Sequence, residues 1–168
     1  ETQDPLTERL LLFWHNLFTT AGREVEDPQL IARQHNLYRQ HQGGHLGTFL
    51  KAMARDAGMC RYLNSDSNTK GKPNENFGRE LLELFSLGER TITGAYAESD
   101  IPVVARCFTG YGLTDHAEYE FHPDDHDFGA KTLWGETLPA DAPGAGDWVI
   151  DRILAKVDGS GRSYAARW

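Results

Sequence analysis

The chain has 168 residues, 39% of them hydrophobic and 11% aromatic, enough for one globular domain with an ordinary core. Lys and Arg number 17 against 25 Asp and Glu, a formal charge of −8 without a basic run, which disfavours nonspecific binding to nucleic acid or anionic lipid. Cys60 and Cys107 form no Cys-x-x-Cys pair, which argues against a cysteine zinc site or a disulfide scaffold but leaves room for one disulfide between them; no apolar run approaches the roughly 20 residues of a membrane span.

Glu1-Thr2-Gln3-Asp4 does not resemble a signal sequence. From Pro5 to Thr20 the pattern Leu6, Leu10, Leu11, Leu12, Phe13, Trp14, Leu17, Phe18 is apolar almost all round, and Asp4-Pro5 supplies a cap and first turn, so a central, buried helix is predicted. A second helix is predicted from Asp27-Pro28 to about Gln42, stopped by Gly43-Gly44, and a third over Leu46 to Ala57, followed by a short turn through Met59 to Leu63. Asn64 to Asn74 has too few apolar residues to pack and reads as a loop. A helix then runs to Gly88, and another from Glu98 towards Tyr111 carries Ile101, Val104, Ala105 and Phe108, with Pro102 tolerated in its first turn.

Beyond Ala117 the character changes. Alternation at Tyr119 and Phe121, then at Thr132, Leu133 and Trp134, predicts a small β-hairpin near residues 117–138 whose long tip spans His122 to Lys131. A Gly- and Pro-rich link, Pro139 to Gly146, leads to a last amphipathic helix over Asp147 to Val157, and Ser163 to Trp168 reads as the start of another. The expectation is a mainly α chain, a single-domain multi-helix orthogonal assembly with one small hairpin, cut from a longer protein.

The most informative stretch is Asn74 to Gly88, because it places polar groups on a core-forming helix. At 100° per residue Asn76, Glu80 and Glu83 share one face with Arg79 at its border, opposite Phe77, Leu81, Leu84 and Phe85. Glu80 and Glu83 stay ionised together only beside a positive group; buried, they make a general acid and base pair of the kind glycoside hydrolysis uses, and the structural alternative is a network pinning helices together. His15 shares its sector with Leu11 and Phe18, where an imidazole either finds a tether such as Glu8 or serves catalysis. His35, His41 and His45 fall on different faces or across Gly43-Gly44, and no His-Glu-x-x-His motif occurs, so a divalent metal is not indicated by ligand spacing. The loop His122-Pro123-Asp124-Asp125-His126-Asp127 is the densest group of bases; it lacks EF-hand spacing and reads either as an acid/base element or as a solvated turn.

Four blocks together, Phe13-Trp14-His15-Asn16-x-Phe18, Asn74-Glu75-Asn76-Phe77-x-Arg79-Glu80-Leu81-Leu82-Glu83-Leu84-x-x-Leu87-Gly88, Ala105-Arg106-x-x-Thr109-Gly110 and His126-Asp127-x-Gly129-x-Lys131-Thr132-x-x-Gly135, resemble the bacterial DUF1800 family in order and spacing, over about residues 5 to 156. The family is itself of unknown function. The resemblance implies a longer protein of several hundred residues, export to the periplasm or cell exterior, and an exported DUF1501-type protein as partner. One departure is Leu17, where the family often carries a second His, which weakens any proposal that the first helix supplies two ligands.

The blocks suggest one polar cavity joining His15, Asn76, Glu80, Glu83, Arg106, His126, Asp127 and Lys131. In the first functional reading the protein is an exported, hydrolase-like enzyme. Glu80, Glu83, His126 and Asp127 do acid/base work, and His15, Asn16, His41, Asn74, Asn76, Arg79, Arg106 and Lys131 hold the substrate, whose class is open, as is metal dependence. In the second it is a non-catalytic envelope scaffold whose polar blocks are structural.

Overall fold

The structure, a computed structural model, describes residues 4–165. Helix α1 (Pro5–Leu17) starts at Asp4, whose carboxylate accepts from the amides of Leu6 at 3.1 Å and Thr7 at 3.2 Å, with Pro5 in the first turn. After the single turn α2 (Gly22–Val25), α3 (Pro28–His41) repeats the device with Asp27 capping Gln29 at 2.9 Å. Helices α4 (Leu46–Met53) and α5 (Ala57–Tyr62) follow, and Asp56 caps α5 through the Met59 amide at 2.8 Å. The expected third helix is thus shorter, and the turn after it is a helix, because the Asp56 cap starts a new one.

Helices α6 (Asn76–Glu83), α7 (Arg90–Thr93), α8 (Asp100–Cys107) and α9 (Ala145–Ala155) complete the helical part. A Cβ on Gly78 would sit 3.2 Å from the Ala105 nitrogen, so a glycine lets α6 and α8 approach closely. The principal hydrophobic cluster draws on Phe18, Tyr38, Phe49, Leu81, Val104, Phe108 and Ile150, joining elements from one end of the described chain to the other.

Two further expectations are corrected. Helix α1 is peripheral: Leu11 is its buried residue, while Leu6 is 66% and Phe13 48% exposed, since α1 packs chiefly on α3 and an all-round apolar pattern does not say how many neighbours a helix has. The single hairpin over 117–138 is two separate ones. Strand β1 (Tyr111–Leu113) pairs antiparallel with β2 (Tyr119–Phe121), and β3 (Lys131–Leu133) with β4 (Glu136–Leu138). Gly110, at φ 77°, ends the α8 segment early and starts β1; a Cβ there would lie 2.5 Å from the His122 carbonyl oxygen. Trp134 and Gly135, at φ 51° and 85°, make the two-residue turn of the second hairpin, with both positions left-handed as such a turn requires.

Cys60 and Cys107 are free, buried thiols rather than a disulfide, and burial pushes both up to about 12. No helix among the described residues is long and apolar enough to cross a membrane. The readings of Glu1 to Gln3 as part of a non-signal opening, and of Ala166 to Trp168 as part of a further helix, lie outside the described residues.

Candidate functional site

The end of α8 and the chain leading into β3 hold four of the sequence-predicted residues together. Arg106 Nε donates to Asp127 Oδ2 at 2.6 Å and its Nη2 to Oδ1 at 3.3 Å, the forked geometry a guanidinium makes with a carboxylate. The Gly129 amide adds 2.7 Å to the same carboxylate, and Arg106, first through that hydrogen bond, holds Asp127 below its ordinary value. Lys131 is 2% exposed; its Nζ donates to the Asp127 carbonyl and, at 3.0 Å, to that of Gly129. These three side chains spend their charges on each other and on backbone, which is how a buried ionic group is tolerated.

His126 is different. Its Nδ1 lies 2.6 Å from the Thr109 carbonyl, an acceptor, so Nδ1 carries the proton and Nε2 the lone pair. Thr109 Oγ1 donates to the Arg106 carbonyl at 2.8 Å and accepts the Asp127 amide at 2.9 Å, which locks the backbone that aims the ring. Nε2 has no hydrogen-bond partner among the described residues, although the residue is only 5% exposed. Burial first, and then Lys131, keep His126 below its ordinary value against the opposing effects of the Thr109 carbonyl and Asp127, so the ring is neutral at pH 7.

His126 stands in the wall of a cavity of about 290 Å³, whose other walls are Tyr111, Tyr119, Phe121, Phe128, Cys107, Arg55 and the segment Ala142 to Gly146. Phe121 and Phe128 meet the His126 ring edge-on, with centroids 5.2 and 4.7 Å away. Arg55 lies over the rings of Tyr111 and Tyr119, at 5.6 and 5.7 Å from their centroids. An apolar pocket with one unspent acceptor and one guanidinium is suited to an organic ligand.

The outer face of α6 lies elsewhere. Arg79 bridges Glu75 at 3.3 Å and Glu98 at 2.8 Å, and Glu98 also meets Arg90 at 3.4 Å. Glu83 lines a polar hollow of about 170 Å³ with Arg79, Arg90, Tyr96 and Glu98, whereas the walls of the His126 cavity include neither Glu80 nor Glu83. Burial, and then the charge of Glu83, raise Glu80 above its ordinary value, and its carboxylate forms no hydrogen bond among the described residues.

The remaining predicted residues lie outside the walls of the His126 cavity and make local contacts. Asn74 Nδ2 donates to the Asn64 carbonyl at 2.9 Å and its Oδ1 accepts the Asn76 amide at 2.9 Å, while Asn76 Nδ2 reaches the Leu63 carbonyl at 3.3 Å. Together they pin the Asn64–Asn74 loop to the start of α6. His15 Nδ1 lies 3.3 Å from His35 Nε2 across α1 and α3, His41 stacks on Phe49 with centroids 5.5 Å apart, and Asn16 is exposed. Of the eight residues expected around one cavity, His126 lines it, Arg106, Asp127 and Lys131 form the brace, Glu80 and Glu83 lie on the outer face of α6, Asn76 pins the loop at the start of that helix, and His15 sits in the α1–α3 seam. Sequence reasoning missed Arg55 and the aromatic walls; the alternation at Tyr119 and Phe121 marked a strand but not what it faces. No three His, Cys, Asp or Glu side chains among the described residues are grouped to hold a metal ion.

Fold and site define a mainly helical domain with two small hairpins and an aromatic-walled cavity beside a saturated ionic brace. The chain belongs to the DUF1800 family, described as a protein of unknown function, whose model matches residues 1–159. No curated protein and no solved structure matches it.

Proposed function

We propose that the domain binds a small organic molecule in the His126 cavity and acts on it, hydrolase-like, through His126 as a neutral general base. The observation that carries this reading is the His126 ring itself, fixed by Thr109 at 2.6 Å with its acceptor nitrogen unspent in an aromatic-walled cavity. In this chemistry Nε2 takes a proton from water, the water oxygen bonds to a substrate carbonyl carbon, the carbon to leaving-group bond breaks, and the proton passes to the leaving group. Arg106, Asp127 and Lys131 act as the brace behind the base rather than as substrate ligands, since each already has partners. That saturation is also what favours a second reading, a non-catalytic module in which the family blocks are wholly structural.

Export, and pairing with another exported protein, enter the proposal through the family resemblance. Fractionation of cells expressing the complete gene tests them, and retention in the cytoplasm would remove them. For the chemistry, hydrolysis of phenyl acetate should rise as pH climbs through a midpoint below the usual histidine value and disappear in His126→Asn, which keeps a donor for the Thr109 carbonyl but lacks Nε2. Turnover that survives His126→Asn and is lost in Glu80→Gln would move the chemistry to α6. Binding without turnover would favour the non-catalytic module.

A further inference from the structure

If the His126 cavity is a small-molecule site, as proposed above, the polar groups at its edge say which molecule. Helix α9 begins after Gly144, which sits at φ 72° and has no side chain to cap it. The Trp148 amide bonds to the Gly144 carbonyl at 2.9 Å, but the amides of Ala145, Gly146 and Asp147 donate to no group among the described residues. Ala145 and Gly146 are buried and line the cavity with Gly144. The first amides of a helix have no acceptor within it, and where they border a cavity they are suited to an anion.

Among the described residues Arg55 is the one formally charged side chain in the cavity wall besides the titratable His126. Its guanidinium is held by Asp147 at 2.8 Å and the Lys51 carbonyl at 2.9 Å, and it occupies the Tyr111 and Tyr119 faces that a ligand cation would need. A cationic ligand is therefore disfavoured, and Asp147 is already neutralised. His126, also in this wall, presents Nε2 as an acceptor that suits a donor. Tyr111 and Tyr119 adjoin Arg55, Phe121 and Phe128 adjoin His126, the Tyr111 and Phe121 rings meet at 6.2 Å, and about 290 Å³ is room for a single ring with small substituents.

We propose that the cavity takes a single-ring aromatic hydroxy acid: its carboxylate meets the free α9 amides beside Arg55, its ring lies among the four aromatic side chains, and its hydroxyl donates to His126 Nε2. The test is calorimetric titration of the protein, at pH 7.5, with 3- and 4-hydroxybenzoate, benzoate, phenol and benzyltrimethylammonium. One hydroxybenzoate isomer should bind about tenfold tighter than benzoate or phenol, the difference one well-placed hydrogen bond makes. His126→Asn should remove the advantage over benzoate, and Arg55→Met the advantage over phenol, so either variant decides if the other does not fold. Equal binding of all three neutral and anionic ring types would overturn the ligand class while leaving a small-molecule cavity. Preferential binding of benzyltrimethylammonium would overturn the charge assignment, and binding of none of the probes would overturn both the ligand class and the cavity reading beneath it.

Discussion

Asp127 and Glu80 are carboxylates in two adjoining regions, and their surroundings treat them oppositely. Asp127, in the chain leading into β3, receives both nitrogens of an Arg106 fork and a backbone amide, whereas the Glu80 carboxylate on α6 receives no hydrogen bond among the described residues and faces the charge of Glu83. The first is held below its ordinary value and the second above it. The Asp127 region is saturated with hydrogen bonds, and the acceptor left without a partner beside it among the described residues is His126 Nε2.

The sharpest way to break this contrast is Gly110→Ala, which forces a left-handed residue to carry a Cβ 2.5 Å from the His122 carbonyl and 3.1 Å from the His126 backbone nitrogen. Chemical denaturation should show a loss of about 3 kcal/mol or more, since both strain and overlap fall on backbone that cannot rotate away. Asp127→Ala should cost roughly 2 kcal/mol, below the value for a fully buried pair because Arg106 keeps some solvent. The same measurement on Arg79→Ala should give under about 1 kcal/mol, as its partners Glu75 and Glu98 are exposed enough to be hydrated. A loss of 2 kcal/mol there would erase the distinction between the two regions.

Glu80→Gln is expected to have the smallest effect and the opposite sign, a gain of a few tenths of a kcal/mol at pH 7, because it removes repulsion from Glu83 one turn away. The pH dependences should differ as well. Asp127, being depressed, contributes stability that is fully present above its unfolded value near 3.8 and is lost as pH falls through its folded value. Glu80, being raised, carries a penalty that is complete above its folded value and is relieved as pH falls towards 4.5. Unfolding measured from pH 7 to pH 3 should therefore show Asp127→Asn flattening the acid loss and Glu80→Gln removing a small opposing rise.

Much of the helical layout was legible because its signals are local. Asp4-Pro5 and Asp27-Pro28 start helices where read, since a capping carboxylate and a ring-fixed φ act within a few residues. The hairpins were misjudged because the partner of Tyr119 to Phe121 lies upstream, at Tyr111 to Leu113, where the helical pattern had been extended too far. Arg106, His126, Asp127 and Lys131 were legible as a group, His126 and Asp127 as acid/base residues and Arg106 and Lys131 as substrate ligands, but the hydrogen bonds among them were not. Asn74 and Asn76 show why, for an amide that holds the Leu63 and Asn64 carbonyls has the same sequence signature as one that orients a substrate.

The amino-acid sequence by itself determined the mainly α character, the family and the density of polar blocks, all properties of composition and short-range order. Only the tertiary structure decided which polar atoms were consumed. Arg55, Tyr111, Tyr119, Phe128 and the start of α9 come from separate segments and meet around His126 through packing. Whether a charge is free depends on the acceptors that folding brings within about 3 Å of it, and that distance is not a property of any one stretch of chain.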